Sequence, residues 1–295
     1  MPNRSHRNAG HRAMNGLRRD GKKHRSELQL PPPPERTVHR LIHADVVEGL
    51  RQLPTDSIQL ILCDPPYNLE LADWDKFDNY LEWAKLWLGE CHRVLARQGS
   101  LVLFGGLQFQ GARGGDLLEL MHFVRHQLSL RLVNLIIWNY PNGMSAHRFF
   151  ANRHEEVAWY AKGSDYLFNL DEVREPFDEE TKSRYSRDKR LRAESIEKGK
   201  NPGNVWRIGR LNGNSKERTG HPTQKPRAIY ERLIRALSHP GHVVLDPFAG
   251  SGVAARVAIE WGRHSVSVDS SDELRQHVRK QLIDLPPDGT PFTIE

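Results

Sequence analysis

Asp64 to Tyr67 (Asp-Pro-Pro-Tyr) are the residues whose types and order most strongly suggest chemistry. They follow the run 58–62, which is short, apolar and bounded by turn-forming residues, and which therefore predicts a buried strand. Two prolines end that strand because neither can donate a hydrogen bond to a sheet. The pattern predicts a carboxylate and a phenol on a stiff turn at the carboxyl end of a strand, where open α/β sheets bind ligands.

Such a turn suits a reaction at the exocyclic amine of a nucleobase. That amine is a poor nucleophile because its lone pair is delocalised into the ring. Acceptors beside it, the Asp64 carboxylate and the Pro65 carbonyl, can hold its N–H donors and favour a tetrahedral nitrogen. Tyr67 would stack on the base once the base has left the duplex. From these residues alone, an ordinary strand-ending turn is an equally good interpretation.

A second stretch, Asp246–Gly252 (Asp-Pro-Phe-Ala-Gly-Ser-Gly), joins a predicted strand to a predicted helix. Its glycines let the backbone approach a ligand closely, and the amino end of the helix favours a carboxylate. The next predicted strand ends in Asp269, 17 residues after Gly252. An acid at that distance reaches the ribose hydroxyls in nucleotide-binding βαβ units. The absence of Gly-Lys-Ser/Thr after the glycines excludes a P-loop.

Composition restricts the class of protein. The chain has 295 residues, enough for a sizeable core, and its 38% hydrophobic content indicates a soluble protein. No apolar run approaches the roughly 18 residues that cross a bilayer, so we expect a cytoplasmic protein without membrane contact. The net charge of +6 favours a polyanionic partner. Cys63 and Cys91 fit no metal or disulfide pattern and are predicted to be reduced core thiols.

Strand and helix patterns alternate along the chain, which predicts a doubly wound α/β fold with a mainly parallel sheet. Strands are predicted at 38–42, 58–63, 100–104, 132–138, 157–160, 242–245 and 265–268. Helices are predicted at 45–53, 77–95, 116–130, 228–237, 253–261 and 271–284. The strands at 132–138 and 157–160 lack a helix-length connection and should form an antiparallel edge pair.

Three stretches together carry a resemblance to a known family: Asp64–Tyr67, Phe248-x-Gly250-x-Gly252, and His221–Pro226 (His-Pro-Thr-Gln-Lys-Pro). They resemble the motifs of amino DNA methyltransferases that use S-adenosylmethionine. The catalytic motif precedes the cofactor motif, as in the permuted beta class. The resemblance implies a Rossmann-like methyltransferase fold, S-adenosylmethionine as cofactor and double-stranded DNA as partner. It implies no obligatory protein partner and leaves a homodimer open.

The resemblance also implies roles for individual residues. The catalytic residues would be Asp64, Pro65, Pro66 and Tyr67. The residues in contact with the cofactor would be Asp45, Asp64, Pro65, His221, Pro222, Thr223, Gln224, Lys225, Asp246, Phe248, Gly250, Ser251, Gly252 and Asp269.

Some of these cofactor roles are specific. Asp269 would hold the ribose hydroxyls, at a position where many relatives have Glu. Asp246 would lie near the methionine part of the cofactor, and the segment 223–225 would contact its carboxylate. Asp45 would contact the adenine, with a helix cap as the alternative interpretation.

The resemblance completes the division of the chain. Residues 1–36 form a basic arm and proline spacer, for which a disordered solubilising tail is favoured over an arm that contacts phosphates. The methyltransferase domain then has a catalytic half at 37–168, a target-recognition insertion at 169–220, a cofactor-binding half at 221–285 and a tail at 286–295.

Other functions remain open at this point. A cytosine-N4 methyltransferase would use the same pocket, and Asp at position 64 favours adenine-N6 by resemblance only. A structural-RNA methyltransferase and a non-catalytic DNA-binding regulator are less favoured. No metal is expected, because His154, Glu155 and Glu156 have poor ligand spacing and are interpreted as a polar strand entry.

Overall fold

A nine-stranded sheet forms the centre of the protein. The computed structural model describes residues 30–69, 73–107, 117–141, 147–148, 150–188, 190–286 and 288–295. Within them, the strands lie in the order β6-β4-β5-β3-β2-β7-β8-β1-β9. Their bounds are β1 Thr37–His43, β2 Ile58–Cys63, β3 Leu95–Gly105, β4 Arg131–Asn139, β5 His154–Ala161, β6 Val205–Arg207, β7 Val243–Asp246, β8 His264–Asp269 and β9 Phe292–Ile294.

Helices connect most of these strands. Their bounds are α1 Val46–Arg51, α2 Tyr80–Val94, α3 Leu117–Gln127, α4 Glu179–Ser186, α5 Ala193–Glu197, α6 Arg227–Leu237, α7 Val253–Glu260 and α8 Leu274–Gln281. None of the helices in the described ranges is both long enough and apolar enough to cross a membrane.

The predicted doubly wound, mainly parallel fold is confirmed. Strand β2 illustrates it, because its side chains alternate between two hydrophobic cores. Ile58, Ile61 and Cys63 pack with residues of α1, α2 and α3 on one face. Leu60 and Leu62 pack with residues of α6 and α7 on the other face. A strand covered on both faces has no polar side, which explains why β2 is apolar at every position except Gln59.

The antiparallel pair β4–β5 is also present, but its predicted position at the edge of the sheet was wrong. Strand β5 runs antiparallel to both β3 and β4 and lies between them. The short strand β6 pairs in parallel with β4 and takes the outer place. At the opposite edge, β9 pairs in parallel with β1. Neither three-residue strand was predicted, because both pair through backbone groups and are too short for a side-chain pattern.

The sheet brings the two chemically suggestive stretches together. Strands β2 and β7 pair in parallel, with Leu60 opposite Val244 and Ile61 opposite Leu245. The chain leaves β2 toward β3 on one side, whereas it leaves β7 toward β8 on the other. The crevice between two such strands is where doubly wound sheets bind ligands. Asp64 and Asp246 therefore stand at the same end of neighbouring strands.

Residues 169–220 contain α4, α5 and β6, although their sequence shows little periodicity. Asn169 fixes the start of this segment to the end of α6: its backbone N–H donates to Ala236 O at 2.7 Å, and its side-chain amide donates to Ser238 O at 2.8 Å. Of the predicted arm, residues 1–29 lie outside the described residues.

Candidate active site

The turn that follows β2 is held by side chains outside the Asp-Pro-Pro-Tyr motif. Asn68 has a φ of +57°, a left-handed conformation that Asn tolerates better than most residues. The Asp75 carboxylate accepts the backbone N–H of Asn68 at 2.7 Å and that of Leu69 at 3.0 Å. Tyr80 donates its hydroxyl to Pro66 O at 2.7 Å. The backbone on both sides of Tyr67 is therefore fixed.

Asp64 is the centre of a compact polar cluster at the end of β2. The Tyr67 hydroxyl donates to Asp64 Oδ1 at 2.7 Å. The Lys225 ammonium lies 2.9 Å from Oδ1 and 3.0 Å from Oδ2 of the same carboxylate, and 3.2 Å from the Tyr67 hydroxyl. Lys225 is 7% exposed. Both Asp64 oxygens thus face one buried cation.

The electrostatics of this cluster fix the protonation of two members. Burial lowers the pKa of Lys225, but the negative charges of Asp64 and Glu155 outweigh it and raise that pKa above its ordinary value. Burial and the same two carboxylates raise the pKa of Tyr67 well above its usual range. At neutral pH Lys225 is therefore a cation and Tyr67 a neutral hydrogen-bond donor.

Glu155 is a member of this cluster that the sequence interpretation missed. It lies at the start of β5, is 8% exposed, and places Oε2 3.5 Å from Lys225 Nζ. Its Oε1 lies 3.4 Å from Arg210 Nη2. The Arg210 guanidinium also donates to the Tyr140 hydroxyl at 2.6 Å. The available signal is the pair of acids Glu155 and Glu156 at the start of an otherwise apolar strand, a pattern interpreted above only as a polar strand entry.

The glycine-rich turn after β7 has the backbone geometry that its sequence suggested. Gly250 has a φ of +41° and Gly252 of +74°, both in the left-handed region that favours glycine. A Cβ on Gly250 would come within 2.9 Å of the His221 ring, and one on Gly252 within 2.6 Å of Val278. Any side chain at these positions would thus collide with neighbouring groups.

Acidic side chains border the glycine turn. Asp269, at the end of β8, accepts the backbone N–H of Gly250 at 2.7 Å and that of Ser271 at 2.8 Å. Asp246 is 2% exposed and accepts the N–H of Phe248 at 3.1 Å. Burial raises the pKa of Asp246 well above its usual range, and this hydrogen bond only partly opposes the shift. Ser251 is buried, and its carbonyl accepts the side-chain amide of Gln281 at 3.2 Å.

The Phe248 ring lies against α2. Its centroid is 5.0 Å from that of Trp87 and 5.9 Å from that of Trp83. Trp87 is fully buried, and Trp83 stacks on Phe77 at 4.2 Å. The two tryptophans also contact each other, with ring centroids 5.8 Å apart, and they form the support on which Phe248 rests.

The side chains of the segment 221–226 contact different parts of the structure. Gln224 is turned into its own loop, where it accepts the N–H of Thr219 at 2.9 Å and donates to Glu217 O at 2.6 Å. Lys225 is directed at Asp64. The His221 ring lies at Gly250, and burial together with His277 lowers its pKa. Pro222 and Thr223 are exposed. The structure thus brings His221 and Lys225 to the two motifs but directs Gln224 elsewhere.

Asp45 is the N-cap of α1 and follows Ala44, whose backbone N–H donates to Asp269 O at 3.0 Å. Its Oδ1 accepts the backbone N–H of Val47 at 2.9 Å, and the residue is exposed. The helix-cap interpretation is therefore confirmed. The cap uses Oδ1 of Asp45 and does not involve Oδ2. Cys63 and Cys91 are free, buried thiols with sulfurs 4.0 Å apart, as predicted.

Comparison with known proteins identifies the family. Residues 58–280 match N6_N4_Mtase, a family of DNA methylases. The type II methyltransferase M.HpaI of Haemophilus parainfluenzae is 33% identical over 249 residues, which cover 82% of this chain and 74% of that protein. The DNA adenine methyltransferase YhdJ of Escherichia coli (strain K12) is 31% identical over 242 residues, covering 79% of each chain.

Solved structures share the fold. The cytosine-N4-specific PvuII DNA methyltransferase matches with a TM-score of 0.63 at 18% identity, covering 87% of this chain and 91% of that one. The complex of M1.HpyAVI with SAM matches with a TM-score of 0.54 at 23% identity, covering 83% of this chain and 99% of that one. The sequence match spans both β2 and β7, the two strands that carry the site. The chain belongs to the N6_N4_Mtase family of DNA methylases.

Proposed function

We propose that this DNA methyltransferase transfers a methyl group from S-adenosylmethionine to the N6 amine of an adenine flipped out of duplex DNA, as the modification enzyme of a restriction–modification system. The observation that carries the proposal is the parallel pairing of β2 with β7, which sets the Asp64 turn beside the glycine turn. An amine acceptor and a cofactor cradle then face each other across one crevice.

The residues of the second turn fit the cofactor by type. Gly250 and Gly252 keep the backbone free of side chains that would collide with their neighbours. Asp269 uses one lone pair of each oxygen on a backbone amide and keeps others for a pair of ribose hydroxyls. Phe248 and Asp246 would line the methionine part, with Ser251, His221, Pro222 and Thr223 around it. S-adenosylmethionine supplies an electrophilic sulfonium methyl group when it is bound.

Asp64 and the Pro65 carbonyl would accept the two N–H groups of the amine, and Tyr67 would stack on the extruded base. These two acceptors would hold the amine nitrogen in line with the methyl group that the cofactor would supply, and the electron pair of the methyl–sulfur bond would stay on the cofactor's sulfur. The nitrogen gains positive charge during this step and then loses a proton to solvent. Asp64 would stabilise that developing charge, so positioning and electrostatics supply the catalysis.

Adenine is favoured as the base for two reasons. A relative that is 31% identical is a DNA adenine methyltransferase, and Asp at position 64 resembles the adenine enzymes. The segments Asn3–His6 and Trp138–Ser145 further resemble the RsrI adenine-N6 methyltransferase, which suggests GAATTC as the target. Cytosine-N4 is the second candidate, because the PvuII enzyme with that specificity shares the fold.

The decisive experiment is incubation with S-adenosylmethionine and unmethylated DNA, followed by mass spectrometry of the digested nucleosides. The expected product is N6-methyldeoxyadenosine. N4-methyldeoxycytidine would keep the site but overturn the assignment of the base. Absence of both from a folded protein that binds S-adenosylmethionine would refute the proposed reaction.

A further inference from the structure

Lys225 lies between the half-buried carboxylate of Asp64 and the buried carboxylate of Glu155, at unequal distances. Its ammonium is 2.9 Å and 3.0 Å from the oxygens of Asp64 but 3.5 Å from Glu155 Oε2. That Glu155 oxygen is buried and has no hydrogen-bond partner among the described residues. An acceptor with spare capacity thus stands beside the cation that occupies both oxygens of Asp64.

This arrangement conflicts with methyl transfer as proposed above. The target amine needs an Asp64 oxygen as a hydrogen-bond acceptor, but Oδ1 already accepts from Tyr67 and Lys225, and Oδ2 accepts from Lys225, which leaves one lone pair on Oδ2. A cation at Asp64 also offsets the negative charge that should stabilise the positive nitrogen in the transition state. Withdrawal of Lys225 from Asp64 therefore favours the reaction.

Withdrawal into an unpaired state is unfavourable. Lys225 is 7% exposed, so its ammonium cannot reach bulk water without a larger rearrangement. A buried charge that loses its partner is strongly destabilised. A second carboxylate within a short movement removes this obstacle.

We propose that Glu155 is a positioning residue that receives Lys225 when the target amine binds to Asp64. Shortening the 3.5 Å separation to the ordinary distance of a charge-assisted hydrogen bond, about 2.8 Å, needs a movement of well under 1 Å. Lys225 then pairs mainly with Glu155, its contacts with Asp64 lengthen, and the negative charge of Asp64 is less compensated where it faces the amine. Both side chains keep their protonation states throughout, so the methyl group and the released proton follow the same route as before.

The inference rests on the proposed function, because it takes Asp64 as the acceptor of the amine. It adds a role for an acid that lies outside the recognised motifs, at the start of β5. The inference also gives a function to the buried Lys beside the catalytic carboxylate. Lys225 compensates the negative charge of Asp64 while the site is empty and that of Glu155 while the base is bound.

The test compares two substitutions of Glu155 by single-turnover methylation at saturating DNA and S-adenosylmethionine. Glu155→Gln keeps the shape and removes the charge, whereas Glu155→Asp keeps the charge and shortens the side chain. We expect Glu155→Gln to lower the rate on the order of 100-fold, since Lys225 loses its second partner. Glu155→Asp should stay within about tenfold of the wild type. Affinity for S-adenosylmethionine should be unchanged in both.

A packing or hydrogen-bonding role gives the opposite order, with Gln closer to the wild type than Asp, and that result would overturn the inference. Glu156→Gln is the matched control, because Glu156 is equally buried but bonds to the Leu107 N–H at 3.0 Å and to His154. It should change the rate by less than about threefold.

The outcomes also separate this inference from the proposed function. A wild-type protein that methylates DNA, an inactive Asp64→Ala and a fully active Glu155→Gln would refute only the role of Glu155. A wild-type protein that methylates neither base, or an Asp64→Ala variant with normal turnover, would remove the proposed function itself.

Discussion

We expect Asp75 to be important for turnover, although it lies outside the recognised motifs. It is 1% exposed, and its carboxylate accepts two backbone N–H groups of the turn that carries Tyr67. Asp75→Ala leaves both amides without this acceptor. At about 1–3 kcal/mol for each unsatisfied group, the turn loses on the order of 3 kcal/mol of support. Asp75→Asn keeps one acceptor oxygen and loses the charge, which should cost about half as much.

These costs translate into rates if the turn must hold one conformation to react. About 1.4 kcal/mol corresponds to a factor of ten, so the competent fraction should fall roughly 100-fold in Asp75→Ala and about tenfold in Asp75→Asn. The assay is single-turnover methylation at saturating DNA and cofactor, together with calorimetric binding of S-adenosylmethionine. Binding should change little, since the Asp75 carboxylate supports the turn after β2 through the N–H groups of Asn68 and Leu69.

The control is Asp56→Asn at the amino end of β2. Asp56 is an exposed partner of Lys162 at 2.7 Å, and exposed ion pairs contribute little. An Asp75→Ala variant with a rate within about threefold of the wild type would refute the argument that Asp75 fixes the turn. A large loss in Asp56→Asn would show instead that any carboxylate near β2 matters.

Three further outcomes are expected. Asp64→Ala should abolish methyl transfer while the affinity for S-adenosylmethionine, measured by calorimetry, stays within a few-fold; near-normal turnover would end its catalytic assignment. The affinity for DNA, measured by fluorescence anisotropy, should fall steeply with added salt, because a basic chain releases counterions from the phosphates; a flat response would argue against phosphate contacts. Burial lowers the pKa of His39 from 6.5 to about 3, so the neutral ring stabilises the fold fully above pH 6.5. That contribution is lost as the pH falls toward 3. Between pH 6.5 and 5 the free energy of unfolding should drop by roughly 2 kcal/mol more in the wild type than in His39→Gln. Equal pH dependence of the two proteins in urea titrations would contradict this.

The parts of the site that follow local rules could be predicted from the sequence. The run 58–62 with two prolines after it specifies a strand and its end, and Gly250 and Gly252 mark a turn that needs positive φ angles. The contact between these two parts could not be predicted from local rules. It came from resemblance to a family, because nothing in the residues of β2 and β7 states that the two strands are neighbours.

Contacts between distant side chains could not be predicted. Lys225 is 161 residues from Asp64, and its motif suggested a contact with the cofactor rather than with the catalytic acid. Glu155 is buried only because β5 lies inside the sheet, between β3 and β4. That inner position comes from the pairing of β5 with β3 on one side and β4 on the other. The sequence shows an acid in a strand, but not that the strand will be covered.

The pairing of β2 with β7 has a consequence for how the polypeptide can be divided. The two halves of the site are joined by hydrogen bonds between strands and by the cores on either face, not by the segment 169–220 that links them covalently. A break within that segment would give one fragment with the amine acceptor and another with the cofactor cradle. Each would be inert alone. Activity in a mixture would then scale with the product of the two fragment concentrations, as in a bimolecular assembly.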